Sequence, residues 1–512
     1  MTFQKLSRRD FLNLMGIGSA ALALNACVPE SISTLPTAVT SAPASDSGRQ
    51  PDVEIMLLAV EDKVQILQGE ATRVWRYKGE VMRGPKDALI VIPNTYLGPI
   101  FNIKTGQTIR VHFTNQLPEP SIVHWHGLHV PVAADGHPRL VIETGETYVY
   151  DFSVADRAGT YWYHPHPHGR TGIQAYAGLA SLFIIHDENE LSLELPAGDY
   201  DVPIVIQDRS FDQNNQLHYG GNGMMDQMMG FLGNQILING QAEFSLPVET
   251  RPYRLRLLNG SNSRIYKLAW EDGTPMTVLG TDGGLLEKPL QREYITLAPA
   301  QRVELWVDFS NIEVGVERKL INLPFAAYGG GTYTLFAVKV EKAVTVSASL
   351  PENLSSIAWH KEKEAVNLSS PRSIVMAMGG GMRWSLNGRT FEMNSVDQDE
   401  IVKLGDLEIW EFKNQAGGGM GMMNESLPHP MHIHGLQYQV IEREVDLSGR
   451  DAWETLKDGF VDEGWHDTVL VMPGERVKVL LKFEDFTGLY LYHCHNLEHE
   501  DMGMMRNYRV DA

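Results

Sequence analysis

The chain has 512 residues, 43% of them hydrophobic and 21% charged, which are the proportions of a globular protein with room for about three domains. Its formal net charge of −21 argues against nucleic acid as a partner and favours cationic or metal-ion substrates over anionic ones, although an acidic surface also serves solubility.

In chain order, residues 1–27 read as an address. Ser7-Arg8-Arg9-Asp10-Phe11-Leu12 resembles a twin-arginine export signal, and residues 11–26 are mainly apolar but short for a membrane span. Leu24-Asn25-Ala26-Cys27 resembles a lipobox with an imperfect Asn25. Lipidation of Cys27 predicts a membrane-anchored protein at the periplasm or cell surface; plain cleavage nearby predicts a soluble exported one. Residues 28–51, rich in Ser, Pro, Ala and Thr, read as a flexible tether.

Histidine pairs follow. His124-Trp125-His126-Gly127 is the first and His164-Pro165-His166 the second. His429-Pro430-Met431-His432-Ile433-His434-Gly435 adds three histidines, and His493-Cys494-His495 is followed by His499 and Met504. These segments hold ten of the 18 histidines. A thiolate, an imidazole five residues on and a thioether ten residues on make most of a blue copper site, short of one imidazole. Zinc is the weaker choice, because structural zinc favours closed sets of four ligands rich in Cys. On a strand, His493 and His495 point away from the face that Cys494 serves. One short strand then serves two metal sites along a covalent path on the order of 10 Å. With Cys27 in the signal and Cys494 committed to metal, the two cysteines leave no intramolecular disulfide in the mature protein.

Internal repeats predict the architecture. Gly159-Thr160-Tyr161-Trp162-Tyr163-His164-Pro165-His166 matches Gly488-Leu489-Tyr490-Leu491-Tyr492-His493-Cys494-His495, and Gly331-Thr332-Tyr333 keeps the start without histidines. Val111–Asn115, Leu255–Asn259 and Trp410–Asn414 form another threefold element. Alternating apolar and polar residues between Gly, Pro and Asn predict strands, and their density predicts an all-β chain of β-sandwiches. The domains are placed at 52–190, 198–342 and 370–512, with 343–369 as a linker. The middle copy has no metal motif, so its expected job is to hold the outer two in register.

The four histidine segments resemble the signature segments of multicopper oxidases: laccases, bilirubin oxidases and periplasmic cuprous oxidases. The resemblance covers roughly residues 52–512 and implies three consecutive cupredoxin-like Greek-key domains carrying four copper ions. It implies type 1 copper at His429, Cys494 and His499 with Met504 axial. Type 2 copper would be held by His124 and His432, and the type 3 pair by His126, His164, His166, His434, His493 and His495. The trinuclear cluster would lie between domains one and three. Asp135 and Glu500 stand where the family has acids that relay protons, though Asp135 before Gly136 also suits an ordinary turn. His168 has no place among the family's ligands.

The implied enzyme oxidises phenols, aromatic amines or Cu(I), one electron at a time at a type 1 site near the surface at His429, and reduces dioxygen to water; a monomer is expected. The alternative is a copper-sequestering tolerance protein with incidental oxidase activity. Fourteen of the 21 methionines fall in four clusters: Met224, Met225, Met228, Met229; Met376, Met378, Met382; Met420, Met422, Met423, Met431; and Met502, Met504, Met505. Thioethers suit Cu(I) and also fill irregular gaps in packing; their glycine-rich surroundings favour copper contact. Glu425 lies with the third cluster before His429.

Overall fold

The computed structural model describes residues 39–41, 50–221, 223–346, 348–379, 383–415 and 427–512. The export signal, Cys27, nearly all of the tether, and Met382, Met420, Met422, Met423 and Glu425 lie outside the described residues.

The alternation becomes strands. Val53–Val64 buries Val53, Ile55, Leu57 and Ala59 on one face, and Thr108–Asn115 buries Ile109, Val111 and Phe113. The strands form six sheets, which pair into three sandwiches, each around its own apolar core. The first pair spans strands up to Ser181–His186, the second runs from Asp201–Arg209 to Tyr333–Lys342, and the third from Arg372–Gly379 to Met505–Asp511. The chain is therefore all-β with three consecutive cupredoxin-like domains.

The repeated asparagines show the common plan. Asn115 donates to the carbonyls of Glu119 and Ile142, Asn259 to those of Arg264 and Leu297, and Asn414 to those of Leu427 and Val471. Each closes the corner where its strand leaves the sheet, with its own buried amide satisfying loop carbonyls. After Lys342 the chain runs to Arg372 without a strand among the described residues. It is pinned by Leu354, which packs with Leu195, Leu279, Leu285 and Trp306. No described helix is long and apolar enough to cross a membrane.

Register places the histidines. In the first sandwich His124 lies opposite His164, on the antiparallel pair Val123–His126 and Gly159–Pro165. In the third, His432 lies opposite His493, on His429–Ile433 and Gly488–Cys494. Both pairs are buried.

Candidate metal centre

His429 opens one strand, Cys494 ends its neighbour, and His499 sits on the short helix Leu497–Asp501. The Asn496 side chain caps that helix by accepting from the His499 N–H. Cys494 Sγ lies 3.5 Å from His429 Nδ1 and 3.8 Å from His499 Nδ1, and the two nitrogens are 3.2 Å apart. Donors about 2.0–2.3 Å from one ion at the centre of such a triangle would stand about 3.5–3.8 Å apart, so the set fits a trigonal His₂Cys site. His499 Nε2 donates to the Met228 carbonyl at 3.0 Å, which leaves Nδ1 as the free lone pair. Burial takes His499 down to about 3 and His429 well below its ordinary range, so both are neutral donors. The same burial pushes the Cys494 thiol up, so its thiolate needs a cation beside it.

Met504 and Met505 part company here. Met504 is fully buried in the core cluster that contains Cys494, whereas Met505 packs with Phe391 and Leu491. Trp384 lies 4.7 Å from both the His429 and His499 rings and donates from Nε1 to Met228 O. One expectation is corrected: His429 is not near the surface but completely buried, with Trp384 against its ring. The methionine clusters also divide. Met228, Met376, Met431, Met504 and Met505 are buried, while Met224, Met225 and Met378 are exposed. Packing therefore accounts for more of them than glycine-rich surroundings suggested.

Eight further imidazoles meet between the first and third sandwiches in three groups. His124 Nε2 and His432 Nε2 lie 3.4 Å apart. His164 Nε2 lies 3.4 Å from both His126 Nδ1 and His495 Nε2. His493 Nε2 lies 3.3 Å from His166 Nε2 and 3.1 Å from His434 Nε2. The second and third groups can each hold one ion, and so can the first pair together with His126.

In six of the eight, the opposite ring nitrogen donates to an oxygen. His124 Nδ1 donates to Asp135 O at 2.6 Å, His432 Nδ1 to Asp467 O at 2.7 Å and His164 Nδ1 to Pro165 O at 2.9 Å. His493 Nδ1 donates to Cys494 O at 3.1 Å, His434 Nδ1 to Asp135 Oδ2 at 2.9 Å and His126 Nε2 to Asp467 Oδ1 at 3.0 Å. These bonds fix the tautomers and turn the lone pairs inward, as metal ligands require. Burial, aided by the neighbouring imidazoles, takes His124, His126, His432, His434 and His495 well below their ordinary range, His164 to about 4 and His166 to about 3. Eight inward imidazole nitrogens beside a His₂Cys set are a donor chemistry suited to copper.

The two acids stand at the cluster. Asp135 carries His124 and His434 as above, and burial raises its carboxyl to about 8. Glu500 Oε2 is 3.2 Å from His493 Nδ1, and Oε1 is 3.6 Å from His166 Nε2. Burial opposes ionisation of Glu500, but His166 and His493 outweigh it and bring the carboxyl to about 2. His168 is exposed against Phe391 and joins none of the groups. Sequence reasoning missed Asp467, Arg302 and Trp384, and it marked Met228 for its thioether rather than for its carbonyl.

Family models described as multicopper oxidase match residues 73–190 and 365–512. A multicopper oxidase of Staphylococcus aureus is 32% identical over 85% of this chain and 86% of its own length. A laccase of Bacillus stratosphericus is 28% identical over 93% of this chain and 98% of its own. Among solved structures, the McoA multicopper oxidase of Aquifex aeolicus is similar with a TM-score of 0.76 and 34% identity, covering 90% of this chain and 97% of that one.

Proposed function

The chain belongs to the multicopper oxidase family, whose members bind four coppers, and we propose that it couples one-electron oxidation of phenols, aromatic amines or Cu(I) to the reduction of dioxygen to water. The observation that carries this reading is His493-Cys494-His495, where the strand Gly488–Cys494 ends. Its sulfur faces one donor set, and its two flanking imidazoles enter two others. Storage needs metal donors but no such continuous path between them.

His429, Cys494 and His499 would hold type 1 copper, with Met504 as a further weak donor. His124 and His432 would hold type 2 copper. His126, His164 and His495 would hold one type 3 ion, and His166, His434 and His493 the other. When bound, these ions accept electrons singly at the type 1 site and deliver four to dioxygen at the trinuclear cluster. The protein holds the imidazoles aimed, excludes water by burial, and links the two sites through Cys494 and its neighbours. Asp135 and Glu500 relay protons, Asp135 as the raised carboxyl that can hold one and Glu500 as a carboxylate that takes one up in passing, since each reaches a cluster imidazole directly. The Met228 carbonyl and Trp384 close the outer side of His429 and His499, so reductants approach across the Met224–Met229 segment.

We further propose twin-arginine export with Cys27 as the first residue of a lipid-anchored mature form. Mass spectrometry of the native N-terminus tests it, and an unmodified end beyond Cys27 would mean a soluble exported enzyme.

Oxygen consumption measured side by side with a phenol and with Cu(I) tests the main reading. Turnover with either supports an oxidase, and their ratio names the substrate. Full copper loading with no oxygen uptake from any reductant would leave the copper-sequestering protein instead.

A further inference from the structure

The middle sandwich supplies none of the metal-facing nitrogens, yet one of its side chains reaches the trinuclear site. Arg302 begins the strand Arg302–Asp308, and its side chain is completely buried. All five of its guanidinium N–H groups have acceptors. Nε donates to Thr160 O at 2.9 Å; Nη1 donates to Ala300 O at 3.0 Å and Asp467 Oδ1 at 2.8 Å; Nη2 donates to Asp282 O at 3.0 Å and to Asp467 Oδ2. Thr160 belongs to the first-sandwich strand that carries His164, and Asp467 precedes the third-sandwich strand Thr468–Val471. One planar group thus touches all three sandwiches.

Asp467 passes that anchorage to the metal donors. Its carboxylate accepts from His126 Nε2 and its carbonyl from His432 Nδ1, so it sets one histidine of each outer sandwich. With its proton held on Nε2, His126 keeps the Nδ1 lone pair facing His164 and His495. Room for the pair is built into the backbone. Gly127 has φ +89°, and a Cβ there would lie 2.4 Å from Asp467 Oδ2 and 3.0 Å from Arg302 Nη2.

Resting on the multicopper oxidase reading, we propose that Arg302 is a positioning residue for the trinuclear cluster: by gripping both oxygens of Asp467, it aims His126 and His432 and makes cluster assembly depend on the docking of all three sandwiches. Lysine cannot replace it, because an ammonium has three donors and no planar fork. The buried Arg254 is a useful contrast. It binds Glu190 and Glu304 between the first two sandwiches and touches neither Asp467 nor a histidine donor.

The test uses full-length, copper-loaded Arg302→Lys, Asp467→Asn and, for comparison, Arg254→Lys. Type 1 blue absorbance serves as internal reference, because Arg302 touches none of His429, Cys494 and His499. The expected result for the first two variants is a retained blue band with altered type 2 magnetic resonance. Their trinuclear copper should be held about 10–100-fold less tightly against a chelator. Arg254→Lys should lower the melting temperature and leave the ratio of trinuclear to type 1 copper unchanged. If Arg302→Lys does not fold, Asp467→Asn carries the same test. The proposal is overturned if the folded variants hold trinuclear copper as the wild type does, or lose blue and trinuclear copper in proportion. A wild-type protein without trinuclear copper would overturn the functional reading itself, and this inference with it.

Discussion

Asp135 and Asp467 are counterparts across the interface between the first and third sandwiches. Each accepts through its main-chain carbonyl from a histidine of its own sandwich, His124 or His432. Each accepts through its carboxylate from a histidine of the other, His434 or His126. The symmetry breaks at charge: Asp467 is locked in a pair with Arg302, whereas no described cation lies in salt-bridge contact with the Asp135 carboxylate. Asp467 is therefore suited to hold, and Asp135 to exchange a proton.

Asp135→Asn and Glu500→Gln should slow reoxidation by dioxygen by on the order of 10²-fold while leaving reduction of type 1 copper by substrate intact. The amide oxygen still accepts from His434, so position is kept and only the exchangeable proton is lost. Rapid mixing separates the two half-reactions; unchanged reoxidation in both variants excludes the relay.

Cys494→Ser should abolish the blue colour and nearly all oxidase activity while type 2 copper remains detectable by magnetic resonance. The buried hydroxyl lacks the soft sulfur donor, and His124 and His432 do not depend on it. A blue serine variant would disprove the assignment.

Met504→Leu should raise the type 1 potential without destroying the site, because loss of a weak thioether donor stabilises the oxidised ion less. Met505→Leu should do much less, since Met505 packs with Phe391 and Leu491 rather than with Cys494. Redox titration giving the reverse order would assign the axial position to Met505.

Glu190 offers a check on how the first two sandwiches are joined. It is held by a hydrogen bond from His186 and by Arg254 and Arg256; burial opposes its ionisation, but these partners together bring it down to about 2. A depressed carboxyl contributes stability above its unfolded value, and that contribution is lost as pH falls from about 4.5 towards about 2. Glu190→Gln should therefore cost about 3 kcal/mol near neutrality, with a deficit that closes as acid protonates the wild type. Thermal unfolding of both proteins across that range measures it. A deficit independent of pH would mean that packing, not charge, was lost.

The outer shape of the site could be read from the chain because its signals are local. Alternation alone puts Cys494 opposite His493 and His495, and the copied Gly-x-Tyr-x-Tyr-His element exposes the repeated sandwich. What could not be read depends on contacts distant in sequence. Asp467 meets His126 across 341 residues and Arg302 across 165, and no local pattern announces either contact. His429 looked accessible because a ligand's burial is decided by its covering, here Trp384 on a different strand. The methionines misled for a similar reason: neighbouring glycines do not reveal whether a side chain turns into the core, as Met376 does, or out of it, as Met224 does.

That division directs the substrate experiment. Met224 and Met502 line a cavity of about 600 Å³ together with Asp226, Glu498 and Asp501, beside the helix that carries His499. Thioethers and carboxylates there suit Cu(I) better than a neutral phenol, and the path inward is short, since Met228 of the same segment accepts directly from His499. Replacing Met224 and Met502 with Leu keeps apolar bulk and removes the soft donors. If Cu(I) is a substrate at this face, the double variant should show apparent Cu(I) affinity weaker by on the order of tenfold, with phenol turnover and the blue band preserved. Equal loss for both reductants would mean that the cavity walls merely support the type 1 site. Unchanged Cu(I) kinetics would move the metal-binding role to Met420, Met422 and Met423, which the same substitution to Leu can then examine.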